Sequence, residues 1–293
     1  MNLDSLRTFC ALVETGSFSV AAGRVHLTQP AVSQQIKALE KEVGGPLFDR
    51  HTATPTIAGK LVYERARRML LDADGLIHAL RDIEGLADQE LCIGSSDTMA
   101  MYFLPSIIRQ FSKKMPNTHL KVVCRSTSEI VERVHRGECQ LGLVTLPTAH
   151  PELDETVLFE ESLYLVVPLA HRLAKKRSAS LTDLVDEDLL MLDENTRTGA
   201  LLRQFFRRES FEPRSVLDSG SFEVIKRYVA EGVGISFLPA SALAAGDARI
   251  KTVRVSGTPK TTMGAIRLHQ AYLTPGQRLL LQLMRERSKV ILE

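Results

Sequence analysis

The sequence predicts two domains of different fold class joined by one long helix. Helical periodicity fills residues 1–45, a heptad-like apolar repeat runs from residue 57 to about 87, and short apolar strands alternate with helices from residue 91 onward. The first pattern is typical of an all-α domain and the last of an α/β domain. At 293 residues the chain also exceeds the size at which a single hydrophobic core is usual.

Composition indicates a soluble chain without a metal or redox site. Hydrophobic residues make up 44% and charged residues 25%, and no apolar run approaches the roughly 20 residues of a membrane-spanning helix. The N-terminus does not resemble a secretory signal, so a cytoplasmic protein with no membrane role is expected. Cys10, Cys92, Cys124 and Cys139 lie singly in apolar segments, which predicts structural burial and no cofactor.

The first helices have predictable boundaries. Apolar spacing of three and four predicts a helix over residues 3–15. Ser17 is positioned to begin a second helix, over about 18–25. Thr28 is the expected N-cap of a third, which opens with Gln-Pro and runs to about residue 43.

The third helix has separable faces. Val32, Ile36 and Leu39 recur at spacings of four and three, so they are expected to pack inward. The opposite face has no acidic residue and combines short or medium polar side chains with one cation. Such groups suit base edges in a major groove and phosphates at its rim. This face comprises Gln29, Pro30, Ser33, Gln34 and Lys37. The alternative interpretation is an ordinary solvated helix face.

The segment SFSVAAGRVHLTQPAVSQQIKALEKEVGGPLFDR resembles the DNA-binding domain of LysR-type transcriptional regulators almost element for element. The likeness includes a small-residue pair at Ala21 and Ala22, the TQPAVS entry to the third helix, the IKALE run and the Leu47-Phe48 step into a wing. It implies a winged helix-turn-helix that binds double-stranded DNA, with RNA polymerase as a further partner. The expected DNA-contacting residues are Ser17, Thr28, Gln29, Pro30, Ser33, Gln34, Lys37, Arg50, Thr52 and Thr54.

This sequence departs from the family pattern at two points. Gln34 stands where many members have Arg, and its amide is better suited to adenine. The wing, HTATPTIAGK, is shorter than usual and lacks its customary basic residue. Residues 1–68 hold nine Lys and Arg against six Asp and Glu, so affinity for DNA is expected to come from placed contacts more than from a general basic field.

A long helical segment follows the wing. Its apolar residues alternate at spacings of four and three, which is the seam pattern of a helix paired with another helix. The alternative is a helix that lies on its own domain. The resemblance implies an antiparallel pair of linker helices in a homodimer, with a homotetramer as the full assembly. The expected dimerisation residues are Val62, Ala66, Met69, Ala73, Leu76, Leu80 and Ile83.

The remaining residues alternate between strands and helices. This alternation predicts a parallel sheet with helices on both faces. Segments near 162–165 and 262–267 are expected to cross between two lobes, and the family's effector domain is similar to the hinged periplasmic binding proteins. The predicted boundaries are 1–58 for the winged helix-turn-helix, 59–89 for the linker helix and 90–293 for the effector domain. Within the latter, lobe I comprises about 90–162 and 268–293, and lobe II about 163–267.

Four hydroxyl-rich loops follow the predicted strands. Because open α/β sheets bind ligands beyond the carboxyl ends of their strands, beside helix N-termini, the loops are expected to face one cleft. Arg197 would oppose a carboxylate there, so the expected effector is a small anionic metabolite. Ser and Thr are also common N-caps, which is the alternative at each loop. The expected effector contacts are Ser95, Ser96, Thr98, Ser126, Thr127, Thr145, Thr196, Arg197, Ser219, Ser221 and Phe222.

No catalytic motif is present in the sequence, which lacks a G-x-S-x-G elbow, a Walker loop and a G-x-G-x-x-G motif. The expected function is a DNA-binding regulator, not an enzyme, whose oligomer geometry is controlled by an effector held between the two lobes. A solute-binding or carrier protein remains an alternative that leaves the N-terminal domain unexplained. An enzyme on the same two-lobe architecture is a second alternative, opposed by the missing catalytic set.

Overall fold

The computed structural model describes residues 1–49, 52–83, 90–243 and 246–292. The chain divides into two compact units, Met1–Leu86 and Ala87–Glu293. None of the helices in the described part of the chain combines the length and apolar character needed to cross a bilayer.

The described residues of the N-terminal unit form four helices, and the predicted bounds of the first three are confirmed to within one residue. Thr28 accepts a hydrogen bond from Ala31 N at 3.4 Å, and Gly44 ends the third helix at a φ of 81°, which is the left-handed region. The second helix ends one residue earlier than expected. The helices are α1 (Leu3–Thr15), α2 (Phe18–Arg24), α3 (Gln29–Val43) and α4 (Ile57–Ile83).

A short wing lies between α3 and α4. Phe48 and Pro55 form an antiparallel bridge, and Thr56 N donates to Leu47 O at 2.9 Å. The Phe48 ring meets that of Phe9 edge-on with centroids 5.4 Å apart, which attaches the wing to the core of the unit. The start of α4 is held close by Gly59, where a Cβ would overlap the Leu47 carbonyl oxygen.

The C-terminal unit alternates strands and helices as predicted. A π-helical turn, Met99–Phe103, leads into its first helix. The elements in chain order are β1 (Glu90–Ser95), α5 (Leu104–Lys114), β2 (His119–Cys124), α6 (Thr127–His135), β3 (Leu141–Leu146), β4 (Leu153–Pro168), β5 (Ser178–Ala179), β6 (Asp188–Leu192), α7 (Arg197–Arg208), β7 (Arg214–Ser219), α8 (Phe222–Ala230), β8 (Ser236–Pro239), α9 (Ala240–Leu243), β9 (Ile250–Val255), β10 (Lys260–Leu268) and α10 (Pro275–Leu292).

Two long antiparallel strands join the lobes of this unit. The main sheet has the order β2-β1-β3-β10-β4-β9-β5, with β8 also paired to β4. The first half of β4 pairs with β10, from Leu153 opposite Leu268 to Ser162 opposite Lys260, and its second half pairs with β8 and β9. The sheet is therefore mixed and not purely parallel, which corrects the prediction. The strand expected near 163–167 is only the end of β4, because its first half carries exposed acidic residues between buried ones.

Each lobe has its own hydrophobic core. In lobe I, Phe103 and Phe159 pack with ring centroids 5.4 Å apart. In lobe II, Phe206 lies at the centre of a ring cluster with Phe211 and Phe237, at 5.2 and 5.7 Å. Separate cores allow each lobe to keep its own packing while the connecting strands hold the lobes together.

The predicted burial of the cysteines is confirmed for Cys10, Cys92 and Cys139, and Cys124 is half-buried. Burial raises the pKa of Cys10 and of Cys139 to about 12, so these thiols are uncharged at neutral pH. The sulfurs of Cys92 and Cys139 lie 3.3 Å apart as free thiols within the lobe I core.

Candidate DNA-binding surface and ligand cavity

Helix α3 separates into the two faces that its sequence predicts. Val32, Ile36 and Leu39 are buried in the core of the N-terminal unit. The opposite face is exposed at Gln29, Pro30, Gln34 and Lys37, and half-buried at Ser33. Lys37 forms no ion pair with a described residue, so its charge is available to an external anion. The face therefore offers amides, a hydroxyl and one cation to solvent.

An acidic residue beside this face is withdrawn from it. Glu40 Oε1 accepts hydrogen bonds from the backbone N–H groups of Leu47 and Phe48, at 2.7 and 3.2 Å. The carboxylate thus holds the entry to the wing and does not oppose a phosphate on the outer face. This role of Glu40 does not follow from the helical pattern, because its partners lie beyond the end of the helix.

The N-cap residues of α2 and α3, Ser17 and Thr28, differ in whether their hydroxyl groups are free to bind an external partner. The Thr28 hydroxyl is engaged as the N-cap of α3. Ser17 occupies the N-cap position of α2 but makes no side-chain capping bond. Among the described residues its hydroxyl has no other partner. Ser17 can therefore donate to a phosphate without losing an internal hydrogen bond.

The hydroxyl groups of the wing are less available to bind DNA than the sequence predicts. The hydroxyl of Thr52 donates to Asp49 Oδ1 at 3.1 Å and lies 2.6 Å from that of Thr54. Since the proton of Thr52 is directed to Asp49, Thr54 supplies the proton between the two hydroxyls. Neither hydroxyl retains a free proton for a phosphate, which weighs against the prediction that Thr52 and Thr54 donate to DNA. Arg50 lies outside the described residues.

The first part of α4 packs on its own domain. Ala66 is 2% exposed within the core of the N-terminal unit, and Val62 and Tyr63 pack against that core. The Tyr63 hydroxyl donates to Glu14 of α1 at 3.0 Å. The assignment of Ala66 to a helix-pairing seam is therefore wrong, because its side chain is buried in the core of its own unit. Val62 is half-buried, and its place in a seam stays a prediction.

An apolar stripe remains exposed farther along α4. Met69, Leu76 and Leu80 are 48, 63 and 54% exposed, and their spacings of seven and four place them on one side of the helix. Ala73 is half-buried beside them, and the side chain of Ile83 lies outside the described residues. Three large exposed apolar side chains on one helix face are typical of an interface.

A cavity of about 350 Å³ lies between the two lobes of the C-terminal unit. This volume is at the small end of the range for small-molecule sites. All four hydroxyl-rich loops meet there, with Thr145 from the end of β3. Residues from the sequence-predicted set that line it are Ser96, Thr98, Ser126, Thr127, Thr145, Thr196, Arg197, Ser221 and Phe222.

Two predicted effector contacts lie outside the cavity lining. Ser95 is fully buried, and its hydroxyl donates to Ser96 O at 3.1 Å. Ser219 Oγ accepts from Ser221 N at 3.2 Å and shapes the loop from behind. Both predicted contacts are therefore corrected, because each hydroxyl is hydrogen-bonded within its own loop and neither residue lines the cavity.

Helix N-termini point their free N–H groups toward this region. Ser126, Thr196 and Ser221 are the N-caps of α6, α7 and α8, so positive helix-dipole ends converge on the cavity. The close seating of α7 depends on Gly199, where a Cβ would overlap the Asp193 carbonyl oxygen. Arg197 is exposed and has no ion-pair partner among the described residues.

The cavity also contains acidic groups that were not among the predicted contacts. Asp97, Asp193 and Glu161 line it together with Arg125 and Arg197, so it is not uniformly cationic. Glu161 is 7% exposed and accepts a hydrogen bond from Ser241 N at 2.7 Å. Burial raises the pKa of the Glu161 carboxyl, against the opposing hydrogen bonds from Ser241.

A polar bridge connects the lobes beside the cavity. Tyr102 of lobe I donates to Glu223 of α8 at 2.8 Å, and Lys226 Nζ donates to the Tyr102 hydroxyl at 2.7 Å. Lys226 also donates to Glu223 and to Ala242 O, at 2.8 and 2.9 Å. Burial disfavours the Lys226 cation, but the hydrogen bonds to Glu223 and Tyr102 outweigh it and raise the pKa of Lys226.

Comparison with known proteins covers both units. Residues 3–60 match the model of the bacterial regulatory helix-turn-helix protein, lysR family, and residues 84–289 match that of the LysR substrate binding domain. The chain is 31% identical over 247 residues to the HTH-type transcriptional regulator CysL of Bacillus subtilis, covering 83% of this chain and 82% of that protein.

Solved structures share the fold over nearly the whole chain. Full-length OxyR from Pseudomonas aeruginosa superposes with a TM-score of 0.76 at 24% identity, covering 99% of this chain and 95% of that one. Full-length CbnR complexed with its target DNA superposes with a TM-score of 0.62 at 25% identity, covering 98% of this chain and 100% of that one. The family models, the relatives and the two-unit architecture agree, and relatives such as CysL are regulators and not enzymes. The chain belongs to the LysR family of DNA-binding transcriptional regulators with an effector-binding domain.

Proposed function

We propose that this regulator recognises its operator through the outer face of α3 and changes its DNA-bound geometry when a small anionic metabolite binds between the lobes. The meeting of four predicted loops around one cavity is the observation that carries the effector half of this proposal. Residues 1–58, 59–89 and 90–293 would then serve as DNA reader, linker helix and effector domain. The protein would act in the cytoplasm, where bacterial DNA and RNA polymerase are available to it.

Base recognition is assigned to Gln29, Ser33 and Gln34, with Pro30 packing beside them. Amide side chains can form paired hydrogen bonds with adenine, and exposed Lys37 suits a phosphate. Ser17 and the N-terminus of α3 at Thr28 would contact the backbone. Because few cations are involved, a second copy of the reader in an oligomer is needed for useful affinity.

The stripe of Met69, Leu76 and Leu80 supports pairing of two linker helices in a homodimer. These side chains remain exposed within their own unit, and burying a large aliphatic side chain contributes about 1.5–3 kcal/mol. A homotetramer would follow from further contacts between such dimers. The oligomer would connect effector binding to DNA, because a change in spacing between readers alters the bend that the DNA must adopt.

The effector would act by shifting a population of lobe arrangements. The loops at the cavity rim belong to both lobes, so a ligand that contacts both favours the arrangement in which they are closest. The bridge from Tyr102 to Glu223 and Lys226 lies across the same boundary and would respond to that movement.

We expect Gln29→Ala and Lys37→Ala to alter DNA binding in different ways. Selection from a random duplex library should show that Gln29→Ala relaxes preference at one base position, with a loss of about 1–3 kcal/mol on the preferred site. Lys37→Ala should weaken all sites similarly and reduce the salt slope by about one. Exposed Arg65 on α4 provides a charge-matched control, Arg65→Ala. Unchanged preference in Gln29→Ala would contradict the assignment of the reading face.

Leu76→Glu should separate the linker helices, because it places a charge in the exposed apolar stripe. Sedimentation of the full chain should then show a shift from oligomer toward monomer, while Lys60→Glu, an exposed position at the start of α4, should leave the oligomer intact. Ala66→Gly should act on folding of the DNA-binding unit and not on assembly. An unchanged oligomer in Leu76→Glu would exclude this stripe as the pairing face.

The effector site is tested by DNA bending in gel-shift assays with a panel of small carboxylates. We expect at least one to change the bend produced by the unmodified protein and by Arg207→Ala, a matched change at the other end of α7. Arg197→Ala should lose that response while it still binds DNA, since the cavity would lose its unpaired cation. An identical response in Arg197→Ala would remove Arg197 from the site.

A further inference from the structure

The acidic floor of the cavity does not fit an effector that carries only negative charge. Glu161 lies on β4, one of the two strands that connect the lobes, whereas Arg197 lies at the start of α7 in lobe II. Each therefore belongs to a different wall of the same cavity. A purely anionic ligand would pair with Arg197 but would leave a buried carboxylate facing it.

Glu161 is held without a cationic partner. It forms no ion pair within 4.0 Å among the described residues, and its hydrogen bonds come from Ser241 at the start of α9. The charged groups that share the cavity are Asp97, Asp193, Arg125 and Arg197. Asp193 already accepts two hydrogen bonds from Asn195, both at 2.8 Å, and Arg125 donates to Cys124 O at 2.7 Å.

A buried hydroxyl beside Glu161 has no hydrogen-bond partner among the described residues. Thr261 is paired with Glu161 across β10 and β4, so the two side chains lie on the same side of the sheet. Thr261 is 2% exposed, and its hydroxyl has no hydrogen-bond partner in the described part of the chain. Buried polar atoms without a partner are uncommon, and a bound water, an ion or a functional role is the usual explanation.

We propose that the effector is zwitterionic, with a carboxylate that pairs with Arg197 and an ammonium group that pairs with Glu161. This inference rests on the proposed function of the cavity and names its ligand class, an amino acid or a related amino-carboxylate. The ammonium supplies the missing countercharge on β4, and its several N–H donors match a carboxylate. The helix N-termini at the rim of the cavity would also favour the negative charge of the ligand carboxylate.

Matched ligand pairs test this proposal on the full chain by thermal shift and isothermal titration. The probes are the twenty amino acids, β-alanine and 4-aminobutyrate, each paired with the carboxylate of the same carbon skeleton that lacks the amino group, such as acetate for glycine, propionate for β-alanine and butyrate for 4-aminobutyrate. Ethylamine and propylamine serve as amines without a carboxylate. At least one amino-carboxylate should raise the Tm where its deaminated counterpart, at equal concentration, does not. The Kd difference should be roughly tenfold or more.

The variants separate this inference from the proposed function. Glu161→Gln should abolish the preference for the amino group, whereas Glu160→Gln, the adjacent exposed position on β4, should retain it. Arg197→Ala should lose binding of every carboxylate. If simple carboxylates bind as tightly as amino-carboxylates and depend on Arg197 alone, the zwitterion proposal is wrong and the anion site stands. If no amino-carboxylate binds more tightly than its deaminated counterpart, the zwitterion proposal is also overturned. If Arg197→Ala binds carboxylates as tightly as the unmodified protein does, both the zwitterion proposal and the anion site at Arg197 are overturned.

The pH dependence of stability provides a ligand-free measurement of the same carboxylate. Because burial raises the pKa of Glu161, the fold favours its protonated form, and that contribution is lost as pH rises through the raised pKa. Glu161→Gln should therefore raise the Tm at about pH 7.5 by more than at about pH 3, where this carboxyl is largely protonated in both the folded and the unfolded state. If Glu161→Gln instead lowers the Tm at about pH 7.5, the Glu161 carboxylate is already stabilised by groups of the protein itself, and the proposal is overturned.

Discussion

Antiparallel pairing of β4 with β10 is the constraint on which the C-terminal unit depends. Strand β10 pairs with β3 and with the first part of β4, and β4 continues into the lobe II sheet through β8 and β9. They bring Glu161 and Met263 to the floor of the cavity, whereas the hydroxyl-rich loops form its rim. The floor belongs to the paired strands β4 and β10, whose register shifts between Met263 and Gly264, whereas the rim is divided between the two lobes. Under the proposed function, the floor would recognise the ligand and the rim would move with the lobes.

In the N-terminal unit, two acidic side chains are bound to partners within the unit and do not face the outer side of α3. Glu40 is occupied by the backbone of the wing entry, and Glu14 binds Arg24 at 2.6 Å and Tyr63. Both acids are thereby directed to internal partners, and the face of α3 keeps its polar and cationic character. This arrangement explains how a domain with a small net charge can present a surface suited to DNA.

Local signals made much of the fold predictable. Thr28 and Gly44 define α3 because caps act within a few residues, and the burial of Val32, Ile36 and Leu39 follows from periodicity. The meeting of the four loops was also predictable, since the carboxyl ends of neighbouring strands share an edge. Glu161 could not be recognised in this way, because its position depends on β10, about a hundred residues farther along the chain. Ala66 was misassigned for a related reason: its cover comes from α1, and the repeat on α4 contains no information about that contact.

The polar bridge at Tyr102 connects the two lobes through only a few hydrogen bonds, two of which involve the Tyr102 hydroxyl. Each hydrogen bond in such a bridge contributes about 0.5–1.5 kcal/mol net, more when a charge is involved. This is comparable with the differential affinity that a small ligand has for two conformations. Under the proposed function, a change at the Tyr102 hydroxyl would alter the concentration at which the regulator responds, with the DNA-reading face and the ligand-binding groups both unaltered. Regulators built in this way would then differ in sensitivity through this bridge while they keep the same operator and the same effector.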